Sequence, residues 1–227
     1  MGESRSDRSH AKQALLDAAS EVFAADGYQK GTVARICKKA GANGAAVNYY
    51  FGSKEDLYLE VWRQAWREAR RAHPLEPEEE GLSAELRLSW FMRSLLMRVF
   101  DQGPAGRFAR IMAHEAMEPK GFLAEEKEAV LAEHYSVLDT LTTELLGSGA
   151  SVQDLALCRL MVMTPSLGLA IRMFSRPRAR MPLLTLGLDP EQFARRMSSF
   201  ALAGIAELGR QARERGSTTD GAGGGTG

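Results

Sequence analysis

The 227-residue sequence predicts an all-α fold, and three observations carry that reading. No segment shows the sustained alternation of apolar and polar residues that marks a strand. Apolar residues recur instead at three- and four-residue spacing, and glycines, prolines and capping side chains mark where each such run begins and ends.

In the first helix Leu15, Ala18, Ala19, Val22 and Phe23 form one stripe, which Gly27 ends; Asp7 or Ser9 is placed to cap its start. The polar residues before it, MGESRSDR, read as a frayed terminus. A second helix carries Val33, Ile36, Cys37 and Ala40 on one face, and Gly41 supplies the left-handed stop. Asn43 is suited to cap the next helix by accepting a backbone N–H. That third helix, residues 44–51, is short. Gly44, Ala45 and Ala46 permit close approach to a partner surface, while Val47 and Phe51, four apart, anchor the opposite side. Asn48, Tyr49 and Tyr50 are left to reach outward. Ser53 then caps a fourth helix, with Glu55 and Asp56 in its first turn and Leu57, Val61 and Ala65 beginning its stripe.

Helix, glycine turn, short helix and capped helix in this order is the grammar of a DNA-reading helix-turn-helix. Charge agrees. Lys30, Arg35, Lys38, Lys39 and Lys54 fall between Tyr28 and Lys54 with no aspartate or glutamate among them, although the chain as a whole balances 29 basic against 29 acidic residues. An acid-free basic run in a neutral chain points to a local patch for a polyanion. Lysines on a helix face are more often merely solvated, so the order of elements carries the reading and the charge supports it.

After His73-Pro74 the acidic stretch LEPEEEG breaks the fourth helix and reads as a connection. Leu86, Leu88, Phe91, Leu95, Leu96 and Val99 then make an apolar helix over residues 83–102, ended by Gly103-Pro104. Further helices are predicted over 105–117, from Leu123 to Gly147, from a Ser151 cap onward, and from Pro190-Glu191 to about Arg215. Pro165 falls inside the helix after Ser151 and is expected to kink or interrupt it. The glycine-rich residues 216–227 read as a disordered tail.

Several function classes find no support. A hydrophobic content of 44% excludes wholesale disorder. No uninterrupted apolar run reaches the roughly eighteen residues of a membrane span, and the charged N-terminus lacks an apolar signal core, so a cytoplasmic location is expected. Cys37 and Cys158 lie on apolar stripes and read as buried thiols, not a disulfide. His10, His73, His114 and His134 show no metal-ligand spacing, and no nucleophile elbow, P-loop or dinucleotide fingerprint appears. Neither enzyme activity, nor a metal, nor a cofactor is expected.

The stretch from Lys12 to Trp62 resembles the DNA-binding domain of TetR-family transcriptional regulators, in Ala18, Ala19 and Phe23, the Gly27 stop, Thr32-Val33, Ala40-Gly41 and the YYFGSKEDL ending. Many members carry lysine or arginine at the position of Gly44, glycine at that of Ala45 and tyrosine at that of Asn48, so this chain departs where bases are read. The ending, with the later RIMAHEAMEP, is similar to a subgroup with a CerR-type C-terminal domain. The resemblance implies a helix-turn-helix domain with a flexible arm over 1–53, a connecting helix over 54–73, and a helical effector-binding and dimerisation domain over 74–215. It implies a ligand-responsive regulator of repressor type that binds a palindromic operator as a homodimer. Thr32, Asn43, Gly44, Ala46, Asn48, Tyr49, Tyr50 and Lys54 are the expected DNA contacts.

The last two helices carry broad apolar faces: Leu155, Val162 and Leu169 on one, and Phe193, Met197, Phe200, Ala201, Gly204, Ile205 and Leu208 on the other. These are the expected dimer interface. Trp90, Phe91, Met112, Glu115, Met161 and Thr164 are candidate contacts of an unknown small-molecule effector, with His114, Met117, His134, Met163 and Ser166 in the wider set. Each of these also fits an ordinary core or surface role. An effector-independent DNA-binding or architectural protein is the alternative reading.

Overall fold

Glycines and polar caps set the helix boundaries in the computed structural model of the chain, which describes residues 5–147, 149–174 and 189–220. The described residues form the helices α1 (Arg5–Lys30), α2 (Val33–Ala40), α3 (Ala46–Phe51), α4 (Lys54–Ala72), α5 (Ala84–Phe100), α6 (Arg107–Met117), α7 (Ala124–Leu146), α8 (Val152–Phe174) and α9 (Pro190–Asp220). Single 3-10 turns at Pro104–Gly106 and Gly121–Leu123 precede α6 and α7. No strand occurs among these residues.

Gly27 has φ 73° and ψ 178°, a region open essentially to glycine alone, and breaks α1 where the sequence places a stop. Ser53 accepts from the Asp56 N–H at 3.0 Å at the start of α4. Before α8, the Ser151 N–H donates to Asp154 Oδ2 at 2.9 Å, and the Asp154 N–H donates to Ser151 Oγ at 3.2 Å. That reciprocal pair satisfies donors that a helix start leaves open. Asp189, which the sequence reading passed over, caps α9 by accepting from the Gln192 N–H at 3.1 Å.

Four boundaries differ from expectation. α1 begins at Arg5, so Asp7 and Ser9 lie inside its first turns and are not caps. α3 starts at Ala46, because residues 41–45 are spent on a turn. α8 runs through Pro165, so of the expected kink or interruption the interruption does not occur; the missing N–H costs one bond. α9 continues to Asp220, past the expected end near Arg215, and the remainder of the expected tail, 221–227, lies outside the described residues. The expected N-terminal arm is described only from Arg5 onward.

The chain forms two compact units. The first comprises Met1–His73, Arg98–Lys127 and Leu169–Met181. Its core joins the α1 stripe of Leu15, Ala19 and Phe23 to Ile36, Val47, Leu57, Tyr58, Val61 and Trp62, with Ile111 and Leu123 also fully buried. Aromatic edges lock it. Phe23 meets Tyr58 at 4.8 Å between ring centres, Tyr28 meets Tyr58 at 5.1 Å and Phe122 at 5.3 Å, and Trp62 meets Phe108 at 5.2 Å.

The second unit comprises Pro74–Met97, Glu128–Gly168 and Pro182–Gly227. Its core is Leu75, Leu88, Phe91, Met92, Leu95, Leu138, Leu141, Leu146, Cys158, Val162 and Ile205. Both cysteines are buried free thiols, and burial pushes the Cys158 thiol up to about 11. By length and composition alone α8 is apolar enough to cross a membrane, with a mean hydropathy of 1.4 over its best window. The criterion of an uninterrupted run missed this because Asp154, Arg159 and Arg172 punctuate the helix. In the folded chain Cys158 and Val162 of α8 pack into the core, while Leu157, Leu160, Met161 and Leu167 face outward.

Candidate nucleic-acid interface

Thr32 opens α2 with extended backbone, its Oγ accepting from the Arg35 N–H at 3.3 Å, and this side chain is exposed at the helix start. Ile36 and Cys37 face the core. Gly41, at φ 65°, turns the chain while the Ala42 N–H returns to the Cys37 carbonyl at 2.9 Å. Asn43 then holds the turn twice: its Oδ1 accepts from the Ala45 N–H at 3.0 Å and its carbonyl from the Ala46 N–H at 2.9 Å. The expected cap therefore acts one step earlier, on the turn and not on α3 itself, whose N-cap Ala45 makes no side-chain bond.

α3 is six residues long, and Val47 is its one fully buried side chain. Its other face is open. Tyr49 is 69% exposed, Asn48 is exposed, and Tyr50 is half-buried with its ring edge-on to Tyr49 at 4.8 Å. A Cβ added at Gly44 would meet nothing within 4 Å, so no neighbour within the chain explains glycine there. Ala46 is half-buried at the start of α3.

Lys54 lies over the Tyr28 ring at 4.2 Å, and the Tyr28 hydroxyl donates to Glu55 at 2.9 Å. Burial lowers the Lys54 ammonium from its ordinary value against the opposing pull of Glu55. Burial, then the hydrogen bond to Glu55 and its charge, push the Tyr28 phenol up to about 12. The stack holds Lys54 at the first turn of α4 and makes it a positioned cation, where the sequence offered only a loose one.

The basic run divides. Arg35 pairs with Asp26 at 2.5 Å and Lys39 with Glu21 at 2.7 Å, both acids lying on α1. Lys30 and Lys38 are exposed, and among the described residues neither meets a carboxylate. Lys12 adds a cation 5.3 Å from the centre of the Phe51 ring. Lys12 is not among the cations named from the sequence, and Lys38, which is, keeps its charge without a carboxylate partner among the described residues. The only available signal of the division was the presence of Glu21 and Asp26 upstream, which compete for two of the five cations.

Behind this surface the first unit buries a carboxylate. Glu115 of α6, 3% exposed, accepts from the Tyr58 hydroxyl of α4 at 3.0 Å and from the Lys120 N–H at 3.0 Å, with Lys127 Nζ at 3.6 Å. Burial, then the Glu115 charge and hydrogen bond, raise the Tyr58 phenol far above its ordinary value. Glu115 is thus a tie between two helices. Its ammonium partner is Lys127.

The effector candidates fall in both units. Phe91 is fully buried in the core of the second unit, and Trp90 is half-buried with its indole N–H on the Pro74 carbonyl at 3.0 Å. Met112 and Glu115 belong to the first unit. Met161, 62% exposed, and Thr164 lie on the outward side of α8. Of the wider set, His134 is buried with Nδ1 2.6 Å from the Val130 carbonyl, Met117 is exposed, and Ser166 donates to the Met163 carbonyl at 2.9 Å. The His114 ring lies 3.1 Å from where a Cβ on Gly27 would stand.

The dimer candidates divide by burial within the single chain. Val162, Leu169 and Ile205 are buried within their own chain, and Leu155, Met197, Ala201 and Leu208 pack against the core, leaving little of them for a partner. Phe193 is half-buried. Phe200, 77% exposed, and Gly204 do face out, alongside Leu157, Leu160, Met161 and Leu167 of α8, which the sequence reading had not assigned to this role. α8 is apolar on nearly every side, so spacing left its phase open.

A capped helix, a glycine turn and a short helix anchored by one valine, with Asn48 and Tyr49 turned outward, define a helix-turn-helix DNA-binding protein. The chain belongs to the TetR family: the family model described as "Bacterial regulatory proteins, tetR family" matches residues 15–61, and that for the C-terminal domain of the HTH-type transcriptional dual regulator CecR matches residues 84–205. The C-terminal subgroup implied by YYFGSKEDL and RIMAHEAMEP is thus matched under the designation CecR. Among relatives, the dual regulator CecR of Shigella flexneri is 28% identical over 152 residues, 62% of this chain and 67% of its own. The fatty acid metabolism regulator protein of Bacillus subtilis (strain 168) is 23% identical over 151 residues, 65% and 75% of the two chains. A TetR-like transcriptional regulator from Rhodococcus sp. RHA1 superposes with a TM-score of 0.64 at 20% identity, covering 90% of this chain and 99% of its own. The FadR regulator of Bacillus subtilis, solved in complex with stearoyl-CoA, gives 0.61 at 20% identity over 85% and 98%. At these identities the solved structures speak to the fold.

Proposed function

We propose that the chain is a ligand-responsive repressor that binds a palindromic operator as a homodimer in the cytoplasm. The observation that carries the DNA reading is α3: six residues, one buried anchor, exposed Asn48 and Tyr49, and a half-buried Tyr50 beside them. A helix so slight gains little from packing alone, whereas phenol hydroxyls and rings suit phosphates and base edges. Tyr49, Tyr50 and Asn48 read bases, Thr32, Lys38 and Lys54 hold phosphates, and Gly44 and Ala46 let the backbone come close to the groove. Asn43 acts by fixing the turn. Residues 1–53 make the reading head, 54–73 the transmitting helix, and 74–215 the effector and dimerisation part.

One such helix contacts few bases, so two copies at half-sites roughly 34 Å apart are needed for specificity. The outward apolar residues of α8 and α9, with Phe200, Met161 and Gly204 foremost, support that pairing. The stearoyl-CoA bound by the Bacillus subtilis FadR supports a small-molecule effector for this chain, of class still open. An effector acts by preferring one tilt of α4, and its differential affinity for the two arrangements sets the shift in operator binding. The test is salt dependence. The logarithm of the affinity for duplex DNA should fall linearly with the logarithm of salt concentration. An affinity that does not respond to salt removes the phosphate-binding role.

A further inference from the structure

In the second unit α5 and α9 flank a groove of about 350 Å³ lined by Leu86, Ser89, Trp90 and Arg93 from the first helix and by Ala194, Arg195, Ser198 and Ser199 from the second. That volume sits at the small end of ligand sites, about 300–1,000 Å³. Its chemistry is uneven. The Trp90 indole N–H is already spent on the Pro74 carbonyl, so the half-buried ring offers its π-face and not its donor. Arg93 is held in a two-bond fork by Glu191 and stands 5.8 Å from the Trp90 ring centre, and this pair contributes no net charge. Arg195 is exposed, and among the described residues no carboxylate meets it. Among the described residues the groove therefore carries one uncompensated positive charge.

The serines narrow the ligand further. Ser89 Oγ donates to the Glu85 carbonyl at 2.8 Å, Ser198 to Ala194 at 2.9 Å and Ser199 to Arg195 at 3.0 Å. With each hydroxyl proton committed, what remains is lone pairs, so these side chains act as acceptors. We propose that the α5/α9 groove binds a small aromatic monocarboxylate bearing a ring N–H or hydroxyl: the ring on Trp90 and Leu86, the carboxylate on Arg195, and the donor on a serine oxygen. A single planar carboxylate matches the guanidinium fork. A dianion would leave one charge unmatched, and a plain hydrocarbon would leave Arg195 with nothing to bind.

This rests on the proposed effector role of the C-terminal part for its regulatory consequence, but not for the binding itself. The test is titration calorimetry of the full chain with indole-3-acetate, in the absence of DNA. One saturable site per protomer is expected. The neutral isostere indole-3-acetamide and the variant Arg195→Gln should each bind about tenfold more weakly or worse. Trp90→Leu should abolish the heat, and Arg196→Gln, one residue along α9, should leave it unchanged. Arg195 is exposed, so its loss should not alter the thermal transition, which keeps the comparison valid even where Trp90→Leu unfolds. Absence of saturation up to about 1 mM overturns the proposal, as do equal affinities for acetate and acetamide or equal effects of the two arginine variants. Operator affinity of the same preparation, measured separately without ligand, reports on the DNA-binding reading alone.

Discussion

Tyr58→Phe isolates the tie between α4 and α6. The substitution keeps the ring, and with it the edge contacts to Phe23 at 4.8 Å and Tyr28 at 5.1 Å, so no cavity opens. What disappears is the hydroxyl that donates to Glu115 at 3.0 Å in a fully buried setting. A hydrogen bond to a charged group contributes about 1.5–3 kcal/mol. Glu115 keeps the Lys120 N–H and the Lys127 ammonium, so the loss belongs in the lower half, about 2 kcal/mol. For a chain of this size that corresponds to a fall of about 4–8 °C in Tm. Guanidinium unfolding followed by circular dichroism, at one fixed protomer concentration, measures it. In the double variant Tyr58→Phe/Glu115→Gln the two effects should fall short of additivity by about 1 kcal/mol. A cost below about 0.5 kcal/mol, the usual span of a surface substitution, or strict additivity of the pair, would refute a charge-assisted bond at this position.

The remaining expectations concern DNA, assembly and pH. Lys38→Ala should weaken binding to every duplex alike and reduce the slope of log affinity against log salt by about one; Arg35→Ala, already paired with Asp26, should cost less, and the reverse order in anisotropy titrations would undo the division of the basic run. Tyr49→Ala should change which sequence is preferred, and a uniform loss on all sequences would count against base reading. Phe200→Glu or Met161→Glu should give folded monomers in sedimentation velocity, because both side chains are exposed, whereas Val162→Glu should unfold the second unit; an unchanged mass for the first two removes the proposed interface. Tyr28 and Tyr58 both have folded values raised above the unfolded value of 10.0, so their contribution is intact below pH 10 and declines as pH rises, toward about 12 for Tyr28. Tyr28→Phe should flatten part of that decline, and a stability unchanged between pH 9 and 12 would contradict it.

The features legible in the sequence are those made by neighbours in the chain. Gly27, Gly41 and Ser53 stop and start helices through their own dihedrals or a bond three residues away, so the order of α1 to α4 followed from local chemistry. Val47 as anchor and Tyr49 as the outward residue followed from helical spacing. What stayed hidden depends on partners distant in sequence. Nothing near Arg35 or Lys39 announces that Asp26 and Glu21 neutralise them, and nothing near Glu115 announces Tyr58, 57 residues earlier. α8 failed for another reason: Met161 and Val162 are adjacent and both apolar, so their outward and inward directions were set only by packing.

Specific regulation by this chain requires that α3 read sequence in pairs. Selection of bound molecules from a random double-stranded DNA pool by the purified chain at physiological salt tests it most directly. Enrichment of a palindrome whose half-sites lie roughly one helical turn apart or a multiple of it is expected, with enrichment lost in Tyr49→Ala. Recovery of DNA no different in sequence from the input pool would contradict it.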